Sequence, residues 1–113
     1  MERRPENGGP KVLELEGRLV GENAASVKEE ARTILKGGRD VVLDFSSVAF
    51  ADSEGLSALV ALYKTAAEES RRLALCSLRV NLRSLLELTR LHRVFEVYDD
   101  AETACAVLEG QTC

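Results

Sequence analysis

Hydrophobic and polar positions alternate in two periods along this chain, and the switches between them outline the elements. In KVLELEG, Leu13 and Leu15 fall on one side and Glu14 and Glu16 on the other. That period of two predicts a strand with one wet face, closed by Gly17. A helical period follows from about Asn23, with Val27, Ala31, Ile34 and Leu35 on one stripe. Lys36, Gly37 and Gly38 then supply a basic last turn and a glycine stop. In DVVLDF the apolar run Val41, Val42, Leu43, Phe45 is almost unbroken, as expected of a central strand covered on both faces. A second helix is expected from about Ser53 to Ser70, with its stripe at Leu56, Leu59, Val60, Tyr63 and Ala67.

The remaining third repeats the alternation. LALCS (73–77) predicts a strand, with Cys76 as a small buried hydrophobe. Leu82, Leu85, Leu86 and Leu91 suggest a shorter helix, and VFEVY (94–98) a last strand. Asp99 stands three residues before Glu102 in a capping-box-like start, and Ala101, Ala104, Cys105 and Leu108 form the stripe of a final helix. Strands alternating with helices predict an α/β fold. Residues 1–10 are polar and rich in Gly and Pro, and predict a frayed lead-in or one short edge strand.

Composition narrows the function classes. A chain of 113 residues is expected to form one domain, with a core large enough to need no staples. A net charge of -4 with dispersed arginines argues against nucleic-acid binding, which needs clustered cations. No apolar run approaches the ~20 residues of a membrane-spanning helix. The N-terminus lacks the apolar stretch of a signal peptide. Three cysteines without CxxC spacing and a single histidine fit neither a disulfide framework nor a zinc site, so a cytoplasmic protein with reduced thiols is expected.

Candidate chemistry concentrates in ADSEGLSALV (51–60), where Ser53 lies between Asp52 and Glu54 at a helix start. A hydrolytic nucleophile would need a base and an exposing elbow such as GxSxG. The sequence here is A-D-S-E-G, and the one histidine, His92, lies in the loop-like TRLHRVF, so an enzyme is the weaker reading. Asp44 and Asp52 supply too few oxygen ligands for a hard cation. On local pattern Ser53 is the N-cap, accepting from a first-turn N–H. The outer face of the same helix, with Ala58, Ala61 and Leu62 among Ser57, Lys64 and Thr65, carries little charge. It is either an interaction face or a set of inert alanines.

The stretch VVLDFSSVAFADSEGLSALV (41–60) resembles the signature of the STAS domain, the fold of bacterial anti-sigma-factor antagonists. LELEGRL (13–19) resembles the family's strand-Gly-x-Leu turn, and LHRVFEVYDDAETACAVL (91–108) its closing strand and helix, so the likeness spans about residues 11–109. It implies a single STAS-type domain with a small mixed sheet of four to five strands and about four helices. It implies a binding module, not an enzyme and without cofactor, that sequesters an anti-sigma factor and is switched off when that partner, a serine kinase, phosphorylates Ser53. Asp52, Glu54, Gly55, Leu56, Ala58 and Ala61 would form the switch loop and partner surface. The protein would be a monomer or weak dimer with no direct membrane insertion. Alternatives within the family are a subunit of a lipid-transport ATPase and a stressosome-like scaffold component. Two positions depart from the family pattern. Glu54 replaces a small or hydroxyl residue, and Val20 stands where an acidic residue often follows the Gly-x-Leu turn. Ser53 is thus expected to be both cap and switch.

Overall fold

Each strand of the chain but the last hands over to a helix that carries the backbone back to start the next strand in the same direction. The computed structural model describes residues 9–109. In order these form β1 (Lys11–Leu19), α1 (Gly21–Lys36), β2 (Val41–Ala51), α2 (Ser53–Glu68), β3 (Leu73–Cys76) and α3 (Val80–Leu88). A 3-10 turn (Leu91–Arg93), β4 (Glu96–Tyr98) and α4 (Ala101–Leu108) complete them. The four strands lie in the order β1-β2-β3-β4. Every pairing among the described residues is parallel, which corrects the expectation of a mixed sheet. The reason is connectivity: a helix stands between each strand and the next, and such crossovers join parallel strands. The lead-in expected over residues 1–10 lies outside the described residues except for Gly9 and Pro10.

The helices divide between the faces of the sheet, α1, α2 and α3 packing on one and α4 on the other, as consecutive strand order with crossovers of one hand requires for the first three. The core divides accordingly. Leu13, Leu15, Val41, Leu43, Phe45, Leu73 and Leu75 pack against Ala31, Leu35, Leu59, Leu62, Leu82 and Leu86. Val42, Ala74 and Cys76 pack against Ala104 and Leu108. Successive residues of β2 thus serve opposite cores, and the unbroken apolar run is a strand covered on both faces. Cys76 is fully buried there as a small hydrophobe, and desolvation pushes its thiol up to about 11 despite a hydrogen bond with Ser77.

Four local expectations are corrected. Gly17 does not close β1. It sits at φ +75°, a conformation glycine adopts freely, and the strand runs on to Leu19 through two register shifts. Leu91 lies in the 3-10 turn, partly buried against the core, and not on α3. The cap of α4 is Asp100, not Asp99: its Oδ1 accepts from the Thr103 N–H at 2.7 Å, which holds its carboxyl below the usual range.

The fourth correction concerns the rotation of α2. Its buried residues are Gly55, Ala58, Leu59, Leu62 and Ala66, whereas Tyr63 and Ala67 of the expected stripe are exposed. Ala58 is 6% exposed and Leu62 fully buried, so neither belongs to an outer face; Ala61 is half-buried. Glu54, Ser57, Lys64 and Glu68 share the exposed side, but apolar residues cover the rest of the helix, so periodicity alone sets the rotation only loosely. Small residues select it, because they allow the closest approach. Tyr63 meets Phe95 edge-on, with ring centroids 5.9 Å apart.

β2 outruns its neighbour. β3 pairs only with Val41–Asp44, and beyond that point β2 is bonded to β1 along one edge. On its other edge Arg79 Nη2 donates to Ser46 O and Asn81 Nδ2 to Ala49 O, each at 3.0 Å. The amides of residues 41–45 should therefore be among the slowest to exchange with deuterium, since opening them disrupts both cores. Exchange there as fast as in residues 47–51 would contradict this packing.

Candidate functional site

β1 and β2 end side by side, with Leu19 in register with Ala51, so the two helices that follow also begin side by side. Gly55 lets them do so. A Cβ at this position would lie 2.3 Å from the Leu19 carbonyl oxygen and 3.3 Å from the Ala51 Cβ. The residue is glycine because β1 ends against the first turn of α2, not because of an unusual φ.

The cap of α2 is Asp52, in extended conformation at φ -109°. Its Oδ1 accepts from the Gly55 N–H at 3.0 Å, and its carbonyl accepts from Leu56 N. This corrects the assignment of the cap to Ser53, which is the first helical residue, with its side chain exposed. Asp and Ser cap about equally well, so residue type alone does not separate neighbours. The extended residue ahead of the helix takes the role, and here that residue is Asp52.

Glu54 has a partner that the sequence does not disclose. Its Oε1 accepts from the backbone N–H of Gly21, the first residue of α1, at 3.0 Å. Val20, the residue ahead of α1, is apolar and makes no side-chain cap. Gly21 holds φ +48°, strained for any residue with a side chain. The two acidic side chains flanking Ser53 therefore each satisfy a helix N-terminus, Asp52 its own and Glu54 that of the neighbouring helix. Both positions also suit the positive ends of the helix dipoles. Asn23 Nδ2 donates to the carbonyls of Glu16 and Arg18, tying the first turn of α1 to the end of β1. Arg18 lies over the exposed Phe50 ring at 5.2 Å.

Of the residues singled out by sequence, Asp52, Ser53 and Glu54 gather at this surface. Gly55 and Ala58 are buried beneath it, and Leu56 is partly buried against the core. A shallow groove of about 240 Å³ runs between the helix starts, lined by Gly21, Ala24, Lys28, Glu54 and Ser57 among others. His92 sits in the 3-10 turn preceding β4, the far edge strand, with Nδ1 3.4 Å from the Leu86 carbonyl. Asp44 Oδ1 accepts from the Ser46 N–H, within its own strand. No described helix is long and apolar enough to cross a membrane. Gly21 and the groove-lining Ala24 and Lys28 are members of the site that the sequence did not single out; the signal at Gly21 is an uncapped helix start after Val20.

Comparison with known proteins gives consistent matches. The family model described as STAS domain matches residues 3–104. BtrV of Bordetella bronchiseptica, named by inference as an anti-sigma factor antagonist, is 29% identical over 96 residues, covering 84% of this chain and 83% of that protein. The unphosphorylated form of SpoIIAA, an anti-sigma factor antagonist from Bacillus, superposes with a TM-score of 0.71 at 16% identity, over 99% of this chain and 96% of that one. A sulfate transporter family protein from Wolinella succinogenes superposes with a TM-score of 0.76 at 16% identity, over 97% and 91% of the two chains. At these identities the structures speak for the fold alone.

Stability measurements should separate the neighbours at the helix start. Asp52→Ala is expected to cost about 0.5–2 kcal/mol as a lost cap. Ser53→Ala should stay within about 0.5 kcal/mol, as for an exposed residue without a structural bond. Gly55→Ala should cost about 1–3 kcal/mol through overpacking against backbone. Denaturant midpoints check all three, and a larger loss for Ser53→Ala than for Asp52→Ala would contradict the cap assignment.

Proposed function

The chain belongs to the STAS domain family, and from that premise we propose that it is an anti-sigma-factor antagonist, a binding module that sequesters an anti-sigma factor and is switched off by phosphorylation at Ser53. The observation that carries this reading is the division of labour at the start of α2. Asp52 caps the helix, so the exposed Ser53 hydroxyl has no structural duty to lose when it is modified. Support also comes from BtrV, and from SpoIIAA, which exists in unphosphorylated and phosphorylated forms.

A phosphate at this position is tolerated by the fold, because a helix N-terminus presents free N–H groups and a positive dipole end. Towards a partner it acts differently. It adds about -1.5 to -2 charge. An acidic partner group about 6 Å away is repelled by roughly 2–3 kcal/mol per unit charge at an effective dielectric near 20. That corresponds to about a 30- to 150-fold loss of affinity. Release needs no backbone rearrangement of α2. Glu54 leaves this switch usable, since its carboxylate is directed to Gly21.

The partner is an anti-sigma factor with serine kinase activity, and its contact surface centres on Ser53, Glu54 and the exposed face of the first turns of α2. Ala58 is buried and contributes shape, not contact. In this role the protein acts in the cytoplasm as a monomer or weak dimer and takes no part in nucleic-acid binding.

Incubation with ATP, Mg²⁺ and the cognate kinase should add one phosphate to the wild type and none to Ser53→Ala. Ser53→Ala should bind the anti-sigma factor and resist release, while Ser53→Asp binds it more weakly. Mass spectrometry and a binding titration read both results. Labelling at Ser57, no labelling, or Ser53→Asp binding as tightly as wild type would contradict the proposal.

A further inference from the structure

Two helices start side by side here, and one carboxylate joins them. Glu54 is the second residue of α2, yet its Oε1 accepts from Gly21 N, the first amide of α1, at 3.0 Å. The residue before α1 is Val20, which has no side-chain acceptor, so Glu54 supplies the cap that α1 lacks. Glu54 is exposed and immediately follows Ser53 in the same helical turn. Beneath this bridge lies the groove lined by Gly21, Ala24, Lys28, Ser57 and Ala58.

We propose that Glu54 is a latch between the two helix starts, and that phosphorylation of Ser53 opens it. The proposal rests on the reading of Ser53 as a phosphorylation site. A phosphoserine dianion beside Glu54 places a second, larger anion on the same positive helix end, with three strong acceptor oxygens. Like charges in one helical turn repel, and the Glu54 side chain is exposed to solvent. The bond to Gly21 is a single one, and α1 has no side-chain cap to replace it. Opening it leaves the Gly21 amide without its acceptor, loosens the first turn of α1 and widens the groove. A signal written on α2 is thereby delivered to α1, without movement of the α2 backbone packed at Gly55.

Phosphoserine installed at position 53 during synthesis tests the latch without any kinase, with amide exchange at Gly21 followed by NMR. The phosphorylated protein should exchange this amide about 5- to 30-fold faster than the unmodified one, as for loss of a helix cap. Glu54→Ala should show similar acceleration without the phosphate. Glu54→Gln, whose neutral amide oxygen still accepts, should keep the amide protected in both forms. Added negative charge by itself slows hydroxide-catalysed exchange, so acceleration by phosphate reports opening and not a field effect. Unchanged or slower exchange in the phosphorylated protein, or no acceleration in Glu54→Ala, would overturn the latch. Failure of the anti-sigma factor to label Ser53 would instead remove the phosphorylation reading and leave this measurement standing.

Discussion

The carbonyl of Leu19 and the bare α-carbon of Gly55 come within a distance that no side chain allows. Much of the functional end of the molecule follows from that contact. It lets the first turn of α2 settle on the end of β1, beside the strand from which α2 itself emerges. The N-termini of α1 and α2 thereby become neighbours, at the carboxyl ends of two parallel strands. Crevices at such strand ends are where open α/β sheets present their ligand sites. The long overhang of β2 beyond β3 carries this end of the sheet clear of the rest, held by β1 on one side and by Arg79 and Asn81 on the other.

Two adjacent helix N-termini concentrate unsatisfied N–H groups and positive dipole ends. The chain answers with two carboxylates, Asp52 on α2 and Glu54 reaching across to α1. Between them stands a hydroxyl that neither helix needs. The local charge is therefore balanced, and a phosphate on that hydroxyl would unbalance it. Such an arrangement can leave the fold intact and still change what the surface attracts.

Much of the fold was legible from period alone. Leu13 and Leu15 against Glu14 and Glu16 announced a half-wet strand, and the run from Val41 to Phe45 a strand covered twice. The rotation of α2 was not legible. Leu56, Val60 and Tyr63 are larger than Gly55, Ala58 and Ala66, so a count of apolar size favours the wrong face, whereas the packing rewards small residues where the α1 and β1 backbones come close. Gly17 looked like a stop because its positive φ serves turns and bulges equally. At the site, the acidic pair around Ser53 was visible, but the local pattern gave the cap to Ser53 where the structure gives it to Asp52, because the two residue types cap about equally well. The Glu54–Gly21 bond spans 33 residues and has no local signature.

In the proposed role Ser53 is free of structural duty and controls partner release through charge. Calorimetric titration of the cognate anti-sigma factor with the unmodified protein and with the form bearing phosphoserine at position 53 tests it most directly. Affinity should fall by about 30-fold or more on phosphorylation, as charge repulsion across ~6 Å requires. Equal affinities for the two forms would contradict the account.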